Sequence, residues 1–251
     1  MFRTRLRHFI VLPIVLLAMS LTGCVETIED LAPDSPATSG GNDPVPTISQ
    51  SEDYYTILGP AEREHDDAGP TVSVCDLDEL ERATCAYGEL TGRASGDSDG
   101  DLPDPAGWPE DNREVDIPAL EDVSDSRNYH GWMMNRSHLV ADSLGGPEVV
   151  ENLVTGTRTQ NVGSHQEDGQ YAGGMAYTEK IARDYLDSGK AASCPLYYAA
   201  APQYSGDELV PRTVIVDIQS CDQSIDQRVE VSNTANGWEI DYTDGSFTEA
   251  S

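Results

Sequence analysis

The chain is 251 residues long and carries 45 acidic against 15 basic residues, a formal charge of −30. Acidity on this scale argues against a protein that holds nucleic acid by broad electrostatic attraction. The excess is uneven, however: from Asp125 to Arg212 there are 7 basic and 11 acidic residues, so most of it lies outside that stretch.

Arg3, Arg5 and Arg7 precede an apolar run from Phe9 to Leu17, and Leu21-Thr22-Gly23-Cys24 follows. Residues 1–23 therefore read as a secretory signal with a small-residue cleavage site. Leu-Thr-Gly-Cys also resembles the bacterial lipobox, which makes Cys24 the lipidated first residue of an exported chain. The apolar run is short for a membrane span of roughly 20 residues, and no second run exists. Anchoring at the outer face of the cell membrane would then rest on the attached lipid.

Residues 24–70 are rich in Asp, Glu, Pro, Ser and Gly and read as an acidic tether. Tyr54, Tyr55, Ile57 and Leu58 form a small apolar island in it, which reads as incidental, with a docking segment as the alternative. Residues 71–251 are long enough for one domain with a real core.

Within that domain the spacing predicts a short helix over Asp78–Thr84 and a turn-rich loop over Asp97–Asp111. The Asp-Ser-Asp-Gly-Asp of that loop mimics a calcium loop but lacks the closing glutamate. Ile181, Ala182, Tyr185 and Leu186 predict an amphipathic helix over Thr178–Asp187. Thr213–Ile218, Arg228–Val231 and Trp238–Tyr242 read as strands, with Asn236-Gly237 as a hairpin turn before the last. A long loop region, one or two helices and several antiparallel strands indicate α+β.

Beyond Cys24 an even number of cysteines remains, Cys75, Cys85, Cys194 and Cys221, which in an exported chain reads as two disulfides. Cys194 and Cys221 lie at nearly equal distances from the turn-like Ser205–Glu208 and flank two apolar runs, Pro195–Ala201 and Thr213–Ile218. An antiparallel hairpin would set them opposite each other, and Cys75 with Cys85 follows by elimination. A four-cysteine zinc site lacks the Cys-x-x-Cys spacing it would need.

The densest chemistry lies in Asn135-Arg136-Ser137-His138, followed by Asn152, Arg158 and Asn161. Hydrolysing a phosphodiester needs a base for water, a cation for the developing charge, and positive groups for the phosphates. His138 is the natural base, since an imidazole with a pKa near 6.5 is largely neutral at pH 7 to 8. Magnesium prefers oxygen ligands and keeps several waters, so one asparagine carbonyl suffices when substrate phosphate completes the shell. Arg136 and Arg158 can meet phosphate through the guanidinium fork. His130 and His165 have no companion motif and read as ordinary loop residues. Trp132, Met133 and Met134 read as core packing beside the site and not as a base-stacking platform.

The run Asn-Arg-Ser-His, then Asn152-Leu-Val-Thr-Gly-Thr-Arg-Thr-Gln-Asn161, then Gly173-Gly174-Met175 with Glu179, resembles the bacterial DNA/RNA non-specific endonuclease family, whose signature is usually written Asp-Arg-Gly-His. The resemblance extends from about Ala83 to Gly245. It implies a ββα-metal (His-Me finger) fold with a central antiparallel sheet and flanking helices. It further implies His138 as general base, Asn161 as ligand to Mg2+ (or Mn2+), Asn152 as a supporting asparagine and Arg136 as a residue shaping the site. Glu179 falls where related enzymes place a helical glutamate that binds metal-bound water, although an ion pair with Arg183 four residues on is the plain alternative. The chain departs from the signature at Asn135 and Ser137, and losing the aspartate puts in doubt any charge support for His138. The expected activity is metal-dependent endonucleolytic cleavage of DNA, and of RNA, by a monomer with no protein partner. The rival expectation is a non-catalytic surface binding or scaffolding lipoprotein on the same fold.

Overall fold

Val214, Val216, Ile218, Val229 and Val231 alternate along two neighbouring strands and are wholly buried, each worth roughly 1.5–3 kcal/mol relative to exposure. They sit in a six-stranded antiparallel sheet that organises the computed structural model, which describes residues 52–94 and 102–251. In chain order its strands are β1 (Tyr55–Gly59), β2 (Ser73–Val74), β3 (Ala86–Leu90), β10 (Leu196–Gln203), β11 (Thr213–Ser220) and β12 (Asp226–Ser232). Their spatial order is β1-β12-β11-β10-β3-β2. Four short pairs complete the strand set: β4 (Glu114–Ile117) with β5 (Tyr129–Trp132), β6 (Met134–His138) with β7 (Leu153–Thr157), β8 (Gln166–Glu167) with β9 (Gln170–Tyr171), and β13 (Trp238–Ile240) with β14 (Phe247–Glu249). Only two α-helices occur among the described residues, α1 (Arg158–Val162) and α2 (Met175–Asp187). The fold is thus rich in sheet and sparing of helix.

One face of the sheet buries Leu196, Tyr198 and Ala200 against Ala182, Tyr185 and Leu186 of α2. A smaller apolar cluster, with Val115, Ile117, Met133, Met134 and Phe247, lies beneath the short strand pairs. The predicted helix over Thr178–Asp187 is present and begins one turn earlier, at Met175.

The two runs flanked by Cys194 and Cys221 pair antiparallel, with Leu196 opposite Ser220 and Gln203 opposite Thr213. The disulfides are Cys194–Cys221 and Cys75–Cys85.

The boundary expected at residue 71 moves upstream. Tyr55 pairs with Val231 and Ile57 with Val229, so β1 is the edge strand of the main sheet, and Tyr54 is fully buried. The following segment runs over the second face of the sheet. Glu62 donates its backbone N–H to Asp217 at 2.7 Å, its carboxylate meets Arg228 at 2.8 Å, and the Arg63 guanidinium lies 4.3 Å above the Tyr197 ring. Composition reads this stretch as tether because many of its contacts are polar and several come from residues more than a hundred positions away.

Three local expectations are corrected. Asp78–Thr84 is a turn and not a helix: the Asp78 carboxylate accepts from the backbone of Leu80 (2.9 Å) and Arg82 (3.0 Å), which competes with helical bonding. Asn236-Gly237 redirects the chain instead of closing a hairpin, because β12 pairs with β11 and β1 while β13 pairs with β14. His130 lies on β5, where its Nδ1 meets Asp116 at 2.8 Å. The signal segment, the lipobox with Cys24 and the Asp97–Asp101 stretch lie outside the described residues.

Candidate active site

Strands β6 and β7 form an antiparallel hairpin with Met134 opposite Thr157 and His138 opposite Leu153, and α1 follows β7 without a break. All five residues of β7 are buried. Thr157 ends the strand and starts the helix, its hydroxyl accepting from the Gln160 N–H at 3.0 Å, an N-cap bond that satisfies one otherwise unpaired donor. The histidine strand and the helix carrying Asn161 are therefore held by continuous backbone.

The fourteen-odd residues joining the two strands are closed by Asn152, which is fully buried. Its Oδ1 accepts from the Val140 N–H at 3.0 Å. Its Nδ2 donates to the carbonyls of Val140 at 2.9 Å and Pro147 at 3.0 Å, and its own carbonyl accepts from Leu139 at 2.8 Å. A Cβ on Gly146 would fall 1.7 Å from the Val140 carbonyl oxygen, so the loop closes only around glycine there. Asn152 thus fixes the backbone on both sides of Leu139, the residue after His138.

Asn135 and Ser137 point to α1. Ser137 donates to Oδ1 of Asn161 at 3.1 Å, and Asn161 Nδ2 donates to Oδ1 of Asn135 at 3.3 Å. The two residues that depart from the signature are therefore the two that hold Asn161. Arg136 instead meets Asp104 through Nε at 2.8 Å, its guanidinium 4.3 Å over the Trp108 ring.

His138 is half-buried, and its Nε2 is buried with no hydrogen-bond partner among the described residues. Burial pulls its pKa below the usual imidazole value, and the charges of Asp142 and Glu148 oppose that shift only in part. Negative charge near the histidine comes from these two loop residues, neither of which the sequence reading singled out. Glu148 Oε1 is also buried without a partner.

Arg158, the first residue of α1, has its guanidinium 5.0 Å from the Tyr129 ring centre and 4.7 Å from that of Tyr171. Among the described residues it has no carboxylate partner. Glu179 is partly buried on α2 and pairs with Arg183 at 3.3 Å; desolvation raises its pKa despite that partner. Helix α2 packs against α1 and against the 3-10 turn Asp142–Leu144 that follows His138.

A cleft of about 580 Å³ opens beside the hairpin, lined among others by Asn112, Asn135, Arg136, Asn161, Trp108 and Trp132. Met133 and Met134 are buried as expected, but Trp132 is 54% exposed. The signal available for this was strand alternation, since His130 and Trp132 share the outward face of β5 and Gly131 the inward one.

Among the described residues no three His, Cys, Asp or Glu side chains cluster as a metal cage. Asn161 Oδ1 accepts one hydrogen bond, and a carbonyl oxygen has two lone pairs. One oxygen ligand on a cleft wall fits a hard divalent ion that keeps most of its water.

The family model described as DNA/RNA non-specific endonuclease matches residues 66–222. A deoxyribonuclease from Streptococcus dysgalactiae subsp. equisimilis is 31% identical over 251 aligned residues, covering 80% of this chain and 74% of that protein. The structure of the Sda1 nuclease with bound zinc ion matches with a TM-score of 0.67 and 28% identity, over 81% of this chain and 99% of that one. NucA from Streptococcus agalactiae with magnesium ion bound matches at a TM-score of 0.53 and 22% identity, over 71% of this chain and 77% of that one, a likeness of fold alone.

Proposed function

Since the chain belongs to the DNA/RNA non-specific endonuclease family, we propose that it is a metal-dependent endonuclease that hydrolyses phosphodiester bonds of DNA, and of RNA, with His138 as general base and Asn161 as metal ligand. The observation that carries this reading is the buried, partnerless Nε2 of His138 on the hairpin that leads directly into the helix of Asn161. Hairpin and helix together make the ββα-metal unit of the proposal.

Burial keeps His138 neutral, so Nε2 is free to take a proton from the attacking water near pH 7. Asn152 acts as a positioning residue, holding the backbone beside His138 through Val140 and Pro147. Ser137 and Asn135 orient the Asn161 carboxamide, whose Oδ1 keeps a second lone pair that would serve a divalent ion. A divalent ion bound there, Mg2+ in our reading, supplies charge neutralisation at the scissile phosphate. Arg158 would meet phosphate between its two tyrosine rings, Arg136 shapes the cleft wall, and Glu179, paired with Arg183 on α2, would order water around the ion.

Digestion of supercoiled plasmid by the chain from Val25 onward tests this, with magnesium, with EDTA, and with His138→Ala in parallel. Nicked and linear products that need the metal and vanish in the variant are expected. Full activity in EDTA or in His138→Ala sinks the proposal, and no cleavage with any divalent ion favours the binding or scaffolding reading. Surface anchoring through a lipid on Cys24 is part of the same proposal. It requires that an incorporated labelled fatty acid be lost in Cys24→Ser.

A further inference from the structure

Trp132 ends β5 on the wall of the cleft, in line with Arg136 and Asn161. It is 54% exposed, and among the described residues its ring has neither an aromatic nor a cationic partner and its indole N–H no acceptor. The other two tryptophans are engaged: Trp108 lies under the Arg136 guanidinium, while Trp238 donates to the Asp116 carbonyl at 3.0 Å and meets Phe247 edge-on. The position of Trp132 is firm. The next residue, Met133, donates its N–H to Arg113 at 3.1 Å, and its carbonyl accepts from the N–H of Arg158 at 2.7 Å, the first residue of the Asn161 helix.

The charge balance makes this ring matter. The chain carries −30, the Arg136 guanidinium is neutralised by Asp104, and Glu110 adds an acid to the lining. Apart from Arg158, which has no carboxylate partner among the described residues, little electrostatic attraction is left for a polyanion, so uncharged contact has to supply the rest of the affinity. Stacking supplies it without regard to sequence, because every base has a π-face. In an intact duplex those faces are covered by neighbouring bases, and exposing one costs a few kcal/mol.

We propose that Trp132 is a stacking ledge for one unpaired nucleobase next to the scissile phosphate, and that the enzyme therefore selects single-stranded over double-stranded nucleic acid. This rests on the nuclease reading above.

The test compares cleavage of a single-stranded oligonucleotide, the same strand in a duplex, and the same strand with abasic sites flanking each phosphate, by wild type, Trp132→Ala and Trp132→Phe. Wild type should prefer the intact single strand to the abasic one by about 5- to 150-fold in kcat/KM, the range that one base–aromatic stack provides. Trp132→Ala should bring that ratio close to one, chiefly through KM, and Trp132→Phe should restore most of it. Equal cleavage of intact and abasic strands by wild type, a preference for the duplex, or an unchanged ratio in Trp132→Ala would overturn the ledge. Failure of wild type to cleave any of the three would overturn the nuclease reading instead.

Discussion

Oδ2 of Asp53 lies 2.6 Å from Nδ1 of His165, across 112 positions of sequence. Asp53 is 1% exposed and also accepts the N–H of Ser164 at 2.8 Å, while its carbonyl accepts the N–H of Gly174 at 2.9 Å. A Cβ on Gly173 would fall 1.8 Å from its carboxyl oxygen, so glycine is what admits the side chain. One residue ahead of β1 thus ties the loop after α1 to the turn that opens α2, and so braces both helices of the candidate site.

Asp53→Ala leaves several buried donors without an acceptor, which costs roughly 2–4 kcal/mol of stability. A urea titration of the variant should show its midpoint fall accordingly. A chain begun at Thr71 loses β1 as well and should be insoluble or melt far lower than one begun at Val25. Equal melting of the two would show that the segment 52–70 is dispensable.

Two asparagines of one motif should respond in opposite ways. Asn152→Ala removes three side-chain bonds in a buried loop and should cost about 2–4 kcal/mol of folding stability. Asn161→Ala removes a half-buried side chain, should barely move the urea midpoint, and should lower kcat about 100-fold or more, the scale of losing one preorganised transition-state contact. Were Asn161→Ala the destabilised variant and an active one, the ligand assignment would be wrong.

The burial of His138 sets a pH signature. Its folded pKa lies below the ordinary 6.5, so the acid limb of kcat/KM should have its midpoint below that value. The stability sign follows from the same shift. Above pH 6.5 both states hold His138 neutral, and the unfolded chain takes the proton first as pH falls. His138's contribution is therefore complete above 6.5 and is lost as pH drops through the folded value. Urea midpoints of wild type and His138→Asn should converge towards acid, and an acid limb centred above 6.5 would contradict the burial argument.

Salt should act weakly. A binder neutralising six to ten phosphates loses about 10³–10⁵ in affinity between roughly 50 and 200 mM salt. With a charge of −30 and Arg136 already paired with Asp104, this chain has few counterions to release. Affinity of His138→Ala for a short oligonucleotide should change less than about tenfold over that range. A steep loss, read by fluorescence anisotropy, would reveal a cationic path that the cleft does not display.

What was legible in the sequence was local. The Cys194–Cys221 hairpin could be read because both its strands are long apolar runs around one turn, and α2 because four apolar residues repeat at helical spacing. The strand β1 could not, since Tyr55–Gly59 is brief, sits among polar residues and gains its meaning only from β12. Asp78–Thr84 misled because the Asp78 side chain captures the backbone that a helix would use. In the site, the Asn-Arg-Ser-His run and the asparagine pair stood out by residue type. That Asn135 and Ser137 hold Asn161 and that Trp132 faces outward depend on which side of a short strand each residue takes, and that Asn152 closes a loop depends on backbone partners up to twelve positions away. Alternation hints at the outward face of Trp132, but strands of four and five residues hold too few positions to fix a side by themselves.

The pairing of Tyr55 with Val231 also orders events in time. Synthesis delivers Val231 of β12 long after Tyr55 of β1, and at 5–20 residues per second the interval is roughly ten to thirty-five seconds. For that time the main sheet lacks an edge, and Asp53 waits for Ser164 and His165. Until β12 is made, the chain lacks both the pairing that closes this edge of the sheet and the settled place for Asp53 that braces the two helices of the candidate site.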